Sequence, residues 1–217
     1  MNGSAASGLA VNGGPATSDS PYSLEPARAT GVVFVHVPKT GGTSVARALY
    51  GTDGIGHRTA GELRQSLGEA AWAAAFTFAV VREPVDRLAS AFRYLKAGGS
   101  NPLDAAFGAR ALAPYSTLDS FVLGWLTPQA SQSQVHFRPQ AGFVCGPDGA
   151  VLVDRVARYE RLADDYAAVR RQTGVGGPLG WANAGPPRRA PALSDAARAR
   201  VAEVYAADFD RFCYRRP

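Results

Sequence analysis

Cysteine, methionine, lysine and histidine are all scarce in this chain. Its 217 residues include two cysteines, one methionine, three histidines and only two lysines, Lys39 and Lys96, against 21 arginines. Cys145 and Cys213 belong to no C-x-x-C pair and stand beside no histidine cluster, which argues against a disulfide framework and a thiolate zinc site. That usage fits a reducing compartment. No apolar run approaches the roughly 18 residues of a membrane-spanning helix. Before Arg28 there is no Lys or Arg, nor an apolar stretch of signal-peptide type, so no secretory leader is expected and the expected location is cytoplasmic. The basic residues are scattered and not interleaved with aromatics, which argues against a nucleic-acid surface.

What remains is the make-up of one soluble globular domain: 46% hydrophobic, 19% charged, net charge +5. Residues 1–30 are rich in Gly, Ser, Ala and Pro, cannot build a core, and are read as a flexible tail; residues 31–217 form the domain. "GVVFVHV" (Gly31–Val37) and "FTFAVV" (Phe76–Val81) have the β-branched, apolar make-up of strands buried on both faces. A third strand is expected at about Ala150–Val153. Helices are expected over Gly42–Tyr50, from Thr59 through Trp72 behind a Thr59/Glu62 capping box, from Pro84 to Gly98, over Ser116–Leu126, through "ERLADDYAAVRRQ", and from Ser194 onward. Strands alternating with helices imply an α/β fold with a central parallel sheet flanked by helices.

Between the first strand and helix lies "PKTGGTS" (Pro38–Ser44). Two glycines let the backbone curl and approach a ligand without a Cβ in the way. The N–H groups of Gly41 to Ser44 would be helix-start donors, backed by the positive end of the helix dipole. Thr43 and Ser44 add hydroxyls, and Lys39 adds a mobile point charge. Where arginine is the habitual cation, a lysine at this place suggests a phosphate site, although the spaced G-x-x-x-x-G-K-[ST] pattern is absent. An ordinary strand–turn–helix junction is the plain alternative.

The second constellation, "VVREPVDRLASAFRY", sets Arg82 at a strand end and Ser90 two turns into the next helix. An arginine fork with a nearby hydroxyl suits a second phosphate; a helix-capping Arg/Glu network is the alternative. Arg87 on the same helix suits pairing with a carboxylate. Two separated anionic subsites suggest a nucleotide phosphorylated at both ends.

"HVPKTGGTS" followed by "VREPVDRLASAFRY" resembles the carbohydrate sulfotransferases of the heparan sulfate 2-O/6-O and chondroitin type, including their short bacterial relatives. The match runs over roughly Val32–Tyr94 and is fainter over "HFRPQAGFVCG" and "YERLADDY". The resemblance implies a P-loop-like three-layer fold and 3′-phosphoadenylyl sulfate as co-substrate. Lys39, Thr40, Gly41, Gly42, Thr43 and Ser44 would hold its 5′-phosphosulfate, and Arg82 with Ser90 its 3′-phosphate. It implies no metal, and an acceptor hydroxyl on a glycan or glycolipid.

A base must take the acceptor's proton, and histidine suits that task near neutral pH. His36 precedes the turn inside a strand and reads as a core residue, while His136 lies in the irregular middle of the chain. His57, just before a capped helix start that disfavours imidazolium, is the preferred base, with Glu62 and His136 as alternatives. "GHRTAGEL" also resembles the segment of the 6-O-type enzymes that carries their catalytic histidine. Two rival functions remain open: a small-molecule kinase with a variant loop, and a non-catalytic nucleotide- or glycan-binding protein. The loops at Ser100–Phe143 and Gly174–Pro191 are expected to shape the acceptor cleft.

Overall fold

A computed structural model describes residues 23–52, 55–180 and 190–217. Most of the expected tail, residues 1–22, lies outside the described residues, as does half of the expected acceptor loop at Gly174–Pro191, residues 181–189. The end of that tail is not loose: Glu25–Thr30 form helix α1, with Pro26 in its first turn and Gly31 closing it at φ 65°. Ala27 of α1 is buried against Val33 and Val35, so packed structure begins ahead of the first strand.

Strands β1 (Val32–Val35), β2 (Phe76–Val81) and β3 (Arg155–Arg158) form a parallel sheet in the order β1-β2-β3. Val32 aligns with Phe76, and Phe78 aligns with Arg155. The strands alternate strictly. Val33, Val35, Ala79 and Val81 pack on one face with Ala60, Leu67, Trp72, Phe143 and Val144. Val32, Phe34, Phe78, Val80 and Ala157 pack on the other with Val45, Leu49, Leu162 and Val169. The first face is therefore covered by α3 (Ala60–Leu67), α4 (Glu69–Ala74) and α9 (Ala141–Val144). The second is covered by α2 (Gly42–Tyr50) and α10 (Leu162–Thr173). Burial on both faces explains why β1 and β2 read as continuous apolar runs. Each fully buried large side chain such as Phe78 contributes roughly 1.5–3 kcal/mol.

Beside the sheet, α5 (Pro84–Lys96) packs with α6 (Pro102–Phe107), α7 (Leu118–Gly124) and α11 (Asp195–Val204) around Phe92, Phe121, Phe137 and Val201, and α8 (Pro128–Gln132) lies against α11. A final helix, α12 (Ala206–Arg211), closes the fold.

Three expected elements differ. The third strand is β3 at Arg155–Arg158, not Ala150–Val153. The turn at Gly146–Gly149 folds the chain back, so that Val151 bridges Cys145 antiparallel and Leu152 N–H donates to Val144 O at 2.9 Å. Asp154 then locks the chain to β2 by accepting from Thr77 N and Oγ1, each at 2.8 Å, and parallel pairing starts beyond it. The single helix expected after Thr59 is broken at Gly68 (φ 86°, ψ 151°) into α3 and α4. The terminal helix breaks at Tyr205, whose buried hydroxyl donates to Phe137 O at 2.8 Å.

Candidate active site

Each strand of a parallel sheet delivers its next residue to the same edge, and that carboxyl edge is where α/β folds place ligands. Here His36, Arg82 and Tyr159 directly follow β1, β2 and β3. All three line one cavity of about 620 Å³, together with Lys39, Ser90, Tyr94, His57 and His136.

The lysine turn enters this cavity in a tense conformation. Lys39 has φ 68°, unusual for a residue with a Cβ, and Gly41 follows at φ 82°. Helix α2 starts with no side-chain cap, and Gly41, Gly42 and Thr43 line the cavity. Gly42 is required by crowding rather than by φ: a Cβ there would lie 1.9 Å from His36 Cδ2. Two of the expected loop residues serve the turn itself. The Thr40 side chain is buried and donates to Val37 O at 2.8 Å, which pins the turn from inside. Ser44 is buried, and its N–H donates to Gly41 O at 3.1 Å within the first helical turn. Lys39 Nζ stands 3.6 Å above the centre of the Tyr94 ring. Burial, reinforced by the charge of Arg82, lowers its pKa to about 8, with Asp104 opposing.

Arg82 is buried, and its guanidinium lies 4.2 Å above the Tyr159 ring. Its backbone is clamped by the side-chain amide of Gln140. Arg82 N–H donates to Gln140 Oε1 at 2.9 Å, and Gln140 Nε2 donates to Arg82 O at 2.7 Å. Asp208 in turn accepts from Gln140 N–H at 2.9 Å. Ser90 and Tyr94, one turn apart on α5, face the same cavity. Arg87 does not form the expected carboxylate pair. It is 1% exposed and grips two carbonyls, Pro38 O from Nε and Arg138 O from Nη1, each at 2.9 Å.

The three histidines, scattered in sequence, meet in space. The His36 and His57 rings are 4.4 Å apart, and those of His57 and His136 are 5.7 Å apart. His57 Nδ1 lies 3.0 Å from His36 O. A carbonyl can only accept, so Nδ1 carries the proton and Nε2 keeps its lone pair. Burial lowers the pKa of His57, with the His36 carbonyl opposing and the charges of Arg87 and Lys39 assisting. His36 is pushed well below the usual histidine value by burial and then by His57. His136 falls to about 4, mainly through burial, although Asp104 Oδ1 stands 3.4 Å from its Nε2. Glu62 is not at the cavity; its carboxylate accepts from Thr59 N–H at 2.7 Å, completing the capping box.

Asp104, Tyr94, Tyr159 and Gln140 were not legible as site residues in the sequence. Asp104 is 4% exposed and accepts from Tyr94 Oη at 2.8 Å and Asn101 Nδ2 at 2.9 Å. "NPLD", with its Asn cap, first-turn proline and third-position aspartate, was the available signal for a fixed helix start there. Tyr159 was hidden by the misplaced third strand. Among the described residues no group of three or more His, Cys, Asp or Glu side chains is arranged to hold a metal ion, and no helix is long and apolar enough to cross a membrane.

Comparison with curated proteins and with solved structures returns no match. A family model does match, over residues 27–215, and its description is "Sulfotransferase family". The match runs from α1 to the end of α12 and takes in every residue that lines the cavity, so this chain belongs to the sulfotransferase family, whose chemistry is sulfuryl transfer.

Proposed function

We propose that the chain transfers the sulfuryl group of 3′-phosphoadenylyl sulfate to a hydroxyl of a carbohydrate or glycoconjugate. The observation that carries this reading is the convergence of Lys39, Gly41, Gly42 and Thr43 with Arg82 and Ser90 in one cavity at the sheet's carboxyl edge. The uncapped start of α2 supports a 5′-phosphosulfate on a P-loop-like turn. The buried Arg82, its backbone fixed by Gln140, supports the 3′-phosphate with Ser90. Thr40 and Ser44 contribute by holding the turn.

In the proposed step the acceptor oxygen attacks sulfur in line, and the bond from sulfur to the bridging phosphate oxygen breaks. The acceptor's proton passes to His57 Nε2, while charge growing on the leaving oxygen is met by Lys39 Nζ and the amides at the start of α2.

The test pairs calorimetry with a transfer assay. 3′,5′-Bisphosphoadenosine should bind and AMP much more weakly, and Arg82→Ala should remove that preference by deleting a charge-assisted bond worth about 1.5–3 kcal/mol. A radiolabelled sulfuryl donor offered with glycans, glycolipids and small hydroxyl compounds should yield labelled product in EDTA. Lys39→Ala should lower turnover more than nucleotide affinity, because its charge is needed most in the transition state. Equal affinity for both nucleotides would reject the assignment, and a strict Mg²⁺ requirement would favour a kinase. Intact binding without transfer to any acceptor would favour a binding protein.

A further inference from the structure

Lys39 from the turn and Tyr94 from α5 both line the cavity, and the ammonium rests on the ring at 3.6 Å. Both partners are held there by their surroundings. The lysine backbone sits in the left-handed region at φ 68°. The tyrosine hydroxyl is anchored at 2.8 Å to the buried Asp104 and lies 2.6 Å from Ser100 Oγ. Arg82, Arg87 and Arg93 bear on the ammonium with like charge, and Asp104 bears on it with opposite charge. A ring face attracts a cation only through its quadrupole. A phosphosulfate in the turn attracts it through full charges and also accepts its hydrogen bonds.

We infer that Tyr94 is a positioning residue that holds the Lys39 ammonium over the cavity in the nucleotide-free protein and releases it to the donor. The inference rests on the donor site proposed above. Helix α5 would then serve the donor twice, through Ser90 at the 3′-phosphate and, one turn later, through Tyr94 as the resting place of the lysine that meets the other end.

With Lys39 and Lys96 the only lysines, protein grown with ¹³C-labelled lysine gives two sets of side-chain signals, which a Lys96→Arg sample assigns. In the free protein the Lys39 methylene signals should lie upfield of their position in Tyr94→Leu, shifted by the ring current. Saturating 3′,5′-bisphosphoadenosine should move them to the Tyr94→Leu position. Tyr94→Leu should also bind the nucleotide roughly two- to fivefold more tightly, the worth of one cation–π contact that no longer has to be broken. Tyr94→Phe, which keeps the ring, should retain wild-type affinity. A purely structural tyrosine would give weaker binding instead, and that result overturns the inference. Identical free-state signals in wild type and Tyr94→Leu also overturn it, whatever the nucleotide does. If calorimetry shows binding while the signals stay upfield, release is rejected and the donor site stands. No binding in any variant rejects the donor site and the release together.

Discussion

Arg87 Nε donates to the carbonyl oxygen of Pro38 at 2.9 Å, which joins helix α5 to the residue just before the cavity lysine. The other arm of the same guanidinium holds Arg138 O, so one buried side chain fixes the turn, the helix and the segment carrying His136. Removing it strands the carbonyl of Pro38 at a buried place and that of Arg138 at a part-buried one. Arg87→Leu should cost about 2–5 kcal/mol in stability. The melting temperature should fall by roughly 2–4 °C per kcal/mol for a chain of this length. Arg87→Lys should rescue little, because a single ammonium cannot reach both carbonyls in the fork's geometry. A melting temperature unchanged in Arg87→Leu would show that the turn is held by other means.

The role of Arg87 was not legible in the sequence, and the reason is physical. A helix arginine reads as a solvated cation or a carboxylate partner, and only packing shows that it lies against two backbone carbonyls from distant segments. The lysine turn, β1, β2 and α5 were legible because local rules govern them: doubly buried strands are β-branched, and a proline begins the helix. β3 was misread because Val151, Leu152 and Val153 look more strand-like than Arg155–Arg158. A glycine turn and the Asp154–Thr77 lock decide the register instead. His36 and His136 were separately read as core and loop, whereas the sheet edge brings both beside His57.

Gly42 lies directly against the His36 ring, with no room for a Cβ between them. Alanine favours a helix interior, so propensity alone predicts that Gly42→Ala stabilises α2 by up to about 1 kcal/mol. The added methyl would lie 1.9 Å from His36 Cδ2 and 2.0 Å from His36 Nε2, so the ring must move. His36 packs against His57 at 4.4 Å, and the disturbance reaches the proposed base. The expected result is a melting temperature lowered by an overpacking cost of about 1–3 kcal/mol, with turnover down by more than tenfold. Gain of stability with full turnover would show that the ring has room to swing aside.

Burial of three neutral histidines should make the fold acid-labile. The pKa values of His36, His57 and His136 are all depressed, with His136 at about 4. Below about 6.5 the unfolded chain binds protons that the native chain refuses, so stability rises with pH between about 4 and 6.5 and is lost as pH falls. His136 is nearly inaccessible and should add a slope of up to about 1.4 kcal/mol per pH unit in that window, with the depressed His36 acting in the same direction. Denaturant titrations at stepped pH measure the slope directly. His136→Gln should lower it by the share of one proton, and an unchanged slope would mean that His136 titrates normally in the native state.

His57 is the test of the chemistry. Its Nδ1–H is committed to His36 O at 3.0 Å, which presents the Nε2 lone pair as the group able to take the acceptor's proton. With the pKa lowered by burial, the ring is neutral at pH 7, and turnover should fall on the acid side with a midpoint below about 6.5. His57→Ala should reduce turnover by about a hundredfold to ten-thousandfold, the usual worth of general-base catalysis. Affinity for 3′,5′-bisphosphoadenosine should barely change, because the proposed phosphate contacts come from the lysine turn, Arg82 and Ser90. Loss of activity alone decides nothing, since a misfolded variant is also inactive. Calorimetry and turnover are therefore measured on the same His57→Ala sample. Normal binding with greatly reduced turnover supports the base. Normal binding with normal turnover rejects His57, and the same pair of measurements then passes to His136, whose ring centre lies 5.7 Å away and whose Nε2 faces Asp104.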